Sequence, residues 1–518
     1  MRKRRLCAFL EFLFACLLCC SIPQTNALAQ GPQHGSWQPQ QHGLIGVYAH
    51  LDVEDAINQY TGPANPTSEQ LHAYLRNLYV RMFANPALVG IELGEHWKTI
   101  QTRTEGPSGT PVDQFDWSYL DDAFLFAHVA HKSLRLNITP GIYSPAGVLG
   151  EIPPCDGLFP GTPGPVMDDC GTVQFQGVPE KGPNEVFVFP LPWNCLYKNA
   201  WADFLSNLNA RYKDREEFAS IVVAGPIGAS PEMILPTDNN DSSPQPSGEP
   251  VDAMWRALIK NAYKSDSSYW GTDQVFIDQW EQTIDTYEKI FSGISLDLTP
   301  DTGDDFPEFS STLPPILPPL YTPDCNATPF VMSCEAKVEI ISYFISEQGH
   351  NGKSTKVGGM TASSNTGDGN IGIPGVKLLT SLDPQPWPPI RGGADFDYPV
   401  SDPTKILQEG CIDYPDVSNC QNITPEEAAY NVLTDFFYGT PAGPEYGSMR
   451  GPAPVQYLKI DYTDVLYAEE NPCPPQPSKS LGRTSLQDLL FSASRSLFKI
   501  AYPRLEFPSP PSTCRWWF

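Results

Sequence analysis

The sequence predicts an α/β fold: a (β/α)8 TIM barrel with long disulfide-stapled βα loops and a C-terminal tail. Three observations carry the prediction. Eight short runs rich in strand formers recur along the chain, helical periodicity fills most gaps between them, and long Pro/Gly-rich stretches follow several of the strands. Eight such units spread over this length suit a barrel with insertions, with a doubly wound open sheet as the alternative.

Residues 43–51 (GLIGVYAHL) open the series as a strand. Residues 67–83 follow as a helix, with Thr67 as its cap and Gln70 in the capping-box position. The run 87–93 (ALVGIEL) reads as a buried strand, 116–130 as a helix and 133–142 (SLRLNITPGI) as the third strand. Helix 197–212 leads to strand 220–225, helix 273–291 to strand 293–298, and helix 336–347 to strand 355–360. Segment 392–398 (GGADFDY), helix 424–437 and strand 455–462 (VQYLKIDY) complete the eight units. The stretches 143–194, 226–250, 299–325 and 361–390 would then share the C-terminal face, where barrels of this kind do their chemistry.

Outside the barrel, assigned to residues 43–468, the chain divides simply. Residues 1–29 read as a secretory signal: basic MRKRR, an apolar run broken only by Glu11, and Ala27-Leu28-Ala29 as the small-x-small cleavage pattern. Residues 30–42 form a flexible leader, and 469–518 a Pro- and Cys-containing extension. A secreted or periplasmic location follows. The net charge of −27 argues against nucleic acid and anionic membranes as partners, and no later stretch is long and apolar enough to span a bilayer.

Thirteen cysteines are present, four of them in the signal. Three close pairs, Cys155/Cys170, Cys325/Cys334 and Cys411/Cys420, flank loop-forming sequence and read as disulfides, and Cys195 is the odd thiol if Cys473 and Cys514 bridge the tail. Past the signal there is no C-x-x-C, and nowhere an H-E-x-x-H, so neither a metal nor another cofactor is expected. The string Gly367-x-Gly369-x-x-Gly372 lacks the amphipathic helix that a dinucleotide site needs.

Residues 85–145 contain a strand ending at Trp97, a Phe115-Asp116-Trp117-Ser118 turn opening a helix with Leu120-Asp121, and a further strand leading to Gly141 and Ser144-Pro145. With residues 190–233, this block resembles (β/α)8 glycoside hydrolases of the large retaining clan, the β-galactosidase and cellulase-like barrels. The resemblance is firm over residues 85–233 and diffuse elsewhere.

It implies a carbohydrate partner and paired carboxylates: an acid at the leaving oxygen and a second group across the sugar. Glu232, just beyond strand four, matches the clan's acid/base glutamate, although Pro231 stands where the clan has Asn. The nucleophile belongs at the end of strand seven, where this chain offers Asp395 and Asp397 and no Glu; Asp297, Asp301, Asp304 and Asp305 are further options. Trp97, Tyr143, Trp193, Asn365 and Trp387 are the candidate sugar contacts, aromatic faces for C–H surfaces and an amide for hydroxyls. A barrel that binds carbohydrate without cleaving it is the alternative reading.

Overall fold

The computed structural model describes residues 45–106, 109–159, 169–178, 184–230, 232–238, 244–299, 359–361, 391–395, 399–402, 423–438, 455–472 and 484–501, with isolated positions at 167 and between 336 and 344. The signal and leader, Asn365, Trp387 and Asp397 lie outside the described residues, as do Cys325, Cys334, Cys411 and Cys420.

Eight parallel strands close on themselves: β1 (Gly46–Asp52), β2 (Leu88–His96), β5 (Ser133–Thr139), β8 (Phe218–Val222), β9 (Ser295–Leu298), β10 (Gly359–Thr361), β11 (Arg391–Asp395) and β12 (Val455–Asp461). Each barrel strand pairs with its successor, and β12 returns to β1 with His50 opposite Asp461. The expected (β/α)8 barrel is therefore the observed one, and the open sheet is excluded by closure.

Two faces alternate along each strand. Val47, Ala49 and Leu51 of β1, Ile91 and Leu93 of β2, and Leu134, Leu136 and Ile138 of β5 point outward into the main hydrophobic core. Leu75, Leu78, Tyr79, Met82 and Phe83 of the helix Ser68–Ala84 belong to that core, as do Leu120, Ala123, Phe124 and Ala127 of Ser118–Ala130. The opposite parity fills the lumen.

The third strand is shorter than its apolar run suggests. It stops at Thr139 because Pro140 has no N–H for the ladder, and Gly141 then turns the chain at φ +59°, a conformation that favours glycine. Two antiparallel hairpins missed by periodicity sit in the loops: β3 (Gln101–Glu105) with β4 (Pro111–Phe115), and β6 (Thr172–Gln176) with β7 (Val186–Pro190).

Of the three expected disulfides, the structure describes one. Cys155–Cys170 staples the loop ahead of β6, as the spacing predicts, and Cys195 is the free thiol among the described residues. The pairings of Cys325 with Cys334 and of Cys411 with Cys420 fall on segments outside the described residues and stay expectations from spacing alone. Helix Val251–Ala262 is a further insertion after β8, anchored by buried Trp255, whose indole N–H donates to the Pro236 carbonyl at 2.8 Å.

Part of the C-terminal extension joins the outer layer. Helix Leu486–Ala501 lies against β1 and β12, and Gln487 exchanges two amide hydrogen bonds of 2.8 Å with Asn85 at the end of helix Ser68–Ala84. None of the described helices is long and apolar enough to cross a membrane.

Closure depends on close approach between β1, β2 and β5. A Cβ on Gly90 would lie 2.3 Å from the Ser133 carbonyl oxygen and 2.6 Å from the Tyr48 ring. Gly90→Ala is therefore expected to cost about 1–3 kcal/mol, read as a lower urea midpoint at unchanged slope; an unaltered midpoint would contradict this packing.

Candidate active site

The lumen is polar and layered. Tyr48 and Tyr457 meet edge to face at the N-terminal end, with ring centroids 6.1 Å apart, and Ala219 and Val89 pack against them. Above this plug lies a charged layer made by one residue from each of several strands. Glu92 of β2 receives Arg135 Nη1 at 2.6 Å, Lys459 Nζ at 3.2 Å and His50 Nδ1 at 3.2 Å. The Arg135 Nε donates to Asp297 at 2.8 Å, and its guanidinium stands 4.6 Å over the Tyr457 ring. Glu92, Arg135 and Asp297 are fully buried.

Burial opposes the charge on Glu92, yet Arg135, Lys459 and His50 together hold its carboxyl far below the ordinary range. Burial dominates at Asp297 and, against the pull of Arg135 and a Ser220 hydrogen bond, pushes it up to about 6. For His50, burial works to lower the pKa, but the hydrogen bond and charge of Glu92 outweigh it and leave the imidazole raised. His50 keeps 32% of its side-chain exposure and is the member of the layer that faces the C-terminal mouth, while Glu92, Arg135 and Asp297 are closed off beneath it.

Asp52, Asp461, His96, Lys98, Glu54 and Tyr143 belong to that mouth, at or just past the ends of β1, β12, β2 and β5. Asp52 and Asp461 each cap a helix, accepting from Asp55 N at 3.0 Å and Thr463 N at 2.7 Å. Burial, the largest influence on both, raises their pKa. Gly94 leaves Asp52 room, since a Cβ there would sit 2.9 Å from an Asp52 carboxylate oxygen. His96 pairs with Glu54 and stacks on Tyr143 with centroids 3.4 Å apart, while Lys98 Nζ lies 4.6 Å over the Tyr143 ring.

The loop after β8 comes to this mouth. Ile142 N donates to Gly228 O at 3.3 Å, Gly228 N to Ile234 O at 2.8 Å and Ile234 N to Glu232 O at 2.7 Å. Half-buried Glu232 thus belongs to a compact turn docked on residues 141–143. It stands ten residues past the end of β8, whose own exit, Val222 to Gly225, carries no carboxylate.

The remaining candidates separate. Asp395 is the last residue of β11, in register with Lys459. Tyr143 is at the mouth but buried, its ring occupied by His96. Trp97 points outward and is fully buried: its centroid lies 4.9 Å from Trp201 and 5.7 Å from Phe204, and its N–H donates to Gln101 at 2.7 Å, so no face remains for a ligand. Half-buried Trp193 packs edge-on against Trp255 and Tyr263. Among the described residues no cluster of His, Cys, Asp and Glu forms a metal site.

Parallel strands, outer helices and a mouth built from strand ends define a (β/α)8 barrel. No protein-family model matches the sequence, and no curated protein does. Solved structures similar to it include a thermostable mutant of a xylanase from Cellvibrio japonicus, 9% identical over 90% of this chain and 100% of that one, with a TM-score of 0.39. A second Cellvibrio japonicus xylanase, solved with xylopentaose, is 10% identical over 88% of this chain and 67% of that one, TM-score 0.37. A GH10 protein from Paenibacillus barcinonensis is 10% identical over 90% and 97%, TM-score 0.32. Likeness at this level concerns the fold, and chemistry has to be argued from this chain's residues.

Two changes test the electrostatics. Arg135→Met strands two buried acids and is expected to destabilise the protein by about 3–5 kcal/mol in urea unfolding, with a loss under 1 kcal/mol counting against the ion-pair layer. Glu95, on the outward face of β2, is the converse case: burial pushes it up to about 8 from 4.5, despite hydrogen bonds from Thr99 and the His96 amide. Because the folded state holds the proton more tightly, its contribution is complete below about 4.5 and is lost as pH rises toward about 8. Glu95→Gln should therefore gain on the wild type by ~1 kcal/mol per pKa unit across that window; a pH-independent difference in urea midpoints would refute the assignment.

Proposed function

We propose that this chain acts on a carbohydrate at the C-terminal mouth of its barrel, with Glu232 as general acid/base and a strand-seven aspartate, Asp395 or Asp397, as the second carboxylate. One observation carries the proposal: the Glu232 turn is hydrogen-bonded onto the segment holding Tyr143, next to the His96–Glu54 pair. A protonated carboxylic acid near the leaving oxygen and a carboxylate across the ring are what glycosidic cleavage requires. β11 ends at Asp395, and parallel strands bring their C-terminal ends to one side. The basic, apolar and small-residue segments at 1–29 and the Cys155–Cys170 bridge support export as part of the same reading.

Carbohydrate binding without cleavage is the second reading, favoured by the locked state of the lumen. Glu92 and Asp297 are committed to Arg135, and the end of β8 offers no acid.

Reducing-sugar release from a panel of soluble polysaccharides, paired with glycan-array binding, tests both. Glu232→Gln should lower turnover by at least about 100-fold while binding persists. Unchanged turnover removes Glu232 from the chemistry. A wild type that binds glycans but releases no reducing ends establishes the second reading instead.

A further inference from the structure

A second constellation lies outside the barrel lumen, between its first two outer helices. The Ser118 hydroxyl is 3.2 Å from His72 Nε2, and His72 Nδ1 is 3.3 Å from an Asp122 carboxylate oxygen. Asp122 is in turn held by Arg76 Nε at 2.8 Å, and the His72 ring is stacked on Tyr119 at 4.3 Å. A nucleophile in reach of a base, with the base oriented by a third group, is the arrangement that activates a serine. The hydroxyl also lies against Asp116, which accepts the Ser118 amide at 3.0 Å. The freely rotating hydroxyl proton has both acceptors within reach.

Two further features fit acyl transfer. Ser118 is the first residue of its helix, and the helical ladder there opens with Asp121 N donating to Trp117 O, so the Tyr119 and Leu120 amides precede it beside the serine. Residues 118, 122, 125 and 129 share one helical stripe, on which Leu125 and Val129 are 52% and 51% exposed; Val80, two turns beyond His72 on the neighbouring helix, is 44% exposed. From Ser118 to Leu125 the stripe runs about 10 Å, the length of a medium acyl chain.

We propose that Ser118, His72 and Asp122 form a hydrolytic triad for esters of medium-chain carboxylic acids, independent of the carbohydrate reading. Ser118 Oγ attacks the ester carbonyl carbon as its proton passes to His72 Nε2. The carbon–oxygen bond to the alcohol then breaks, the alcohol leaving with that proton. Water attacks the acyl-serine, giving a proton to His72, which returns it to Ser118 Oγ as the acid departs. Asp122 is the positioning residue, holding the imidazole with Nδ1–H toward itself.

The full-length protein is treated with a fluorophosphonate probe, the labelled peptide is mapped by mass spectrometry, and hydrolysis of p-nitrophenyl octanoate is followed. Labelling is expected at Ser118, with hydrolysis falling at least about 100-fold in Ser118→Ala and in His72→Gln at unaltered thermal unfolding. Asp122→Asn should lower kcat far more than it raises KM. Wild-type protein that takes no label at Ser118, or a Ser118→Ala variant that still turns over the octanoate ester, overturns the proposal. The labelling arm needs no variant to fold.

Discussion

Arg135 holds the barrel interior together, because it is the cation between two carboxylates that have no access to water. Taking Glu92 and Asp297 out of solvent costs several kcal/mol each unless an opposite charge is fixed in contact with them. Arg135 reaches both with one planar fork, at 2.6 and 2.8 Å, and rests on Tyr457. Lys459 and His50 complete the neutralisation from β12 and β1. A layer spanning five strands makes the register of each depend on the others, since a one-residue slip would turn a charge out into the hydrocarbon shell.

The two glutamates of β2 illustrate how strand parity decides chemistry. Glu92 faces the lumen, meets three cationic partners and stays ionised. Glu95, three residues on, faces the outer layer, where its Oε2 has no partner among the described residues and Asp52 and Glu54 add negative charge. The same side chain on the same strand is driven to opposite protonation states by which side of the sheet it occupies. Neither state serves acid/base work on a polymer: the ionised group is sealed below the mouth and the protonated one behind it. Reactive chemistry is left to the mouth and to the rim of the outer helices.

The fold was legible in the sequence because each barrel strand is a short run of strand formers bounded by punctuation, and that signal survives single-sequence reading. Residues 455–462 and 87–93 are cases in point. The hairpin β3–β4 was not legible, since its residues are largely exposed and carry little apolar pattern, whereas β6–β7 does carry one, with Val173, Phe175 and Phe189 buried, but lies inside a stretch whose Pro and Gly content reads as loop. The lumen left a trace that was readable in principle: Glu92, Arg135, Asp297 and Lys459 each stand between apolar residues within a barrel strand, a pattern that a helix-covered parallel sheet permits only where charges meet. Trp97 shows the limit. A tryptophan next to a strand end has two sides to choose from, and nothing local told the outward core from the mouth.

What brings the candidate residues together is backbone geometry more than side-chain chemistry. Gly141 takes φ +59°, and a Cβ there would lie 2.2 Å from the Gly228 carbonyl, so the turn after β5 can receive the loop after β8 only as glycine. That contact fixes where Glu232 begins its approach and where Tyr143 meets His96. Proline acts in the same sense one residue earlier, ending the strand at Thr139 so that the turn can form. The described turns after β5 and β8 are thus not slack between barrel elements. At the mouth they are the parts whose stiffness and close approach decide which side chains become neighbours, while the charged layer beneath keeps the strand ends from shifting under them.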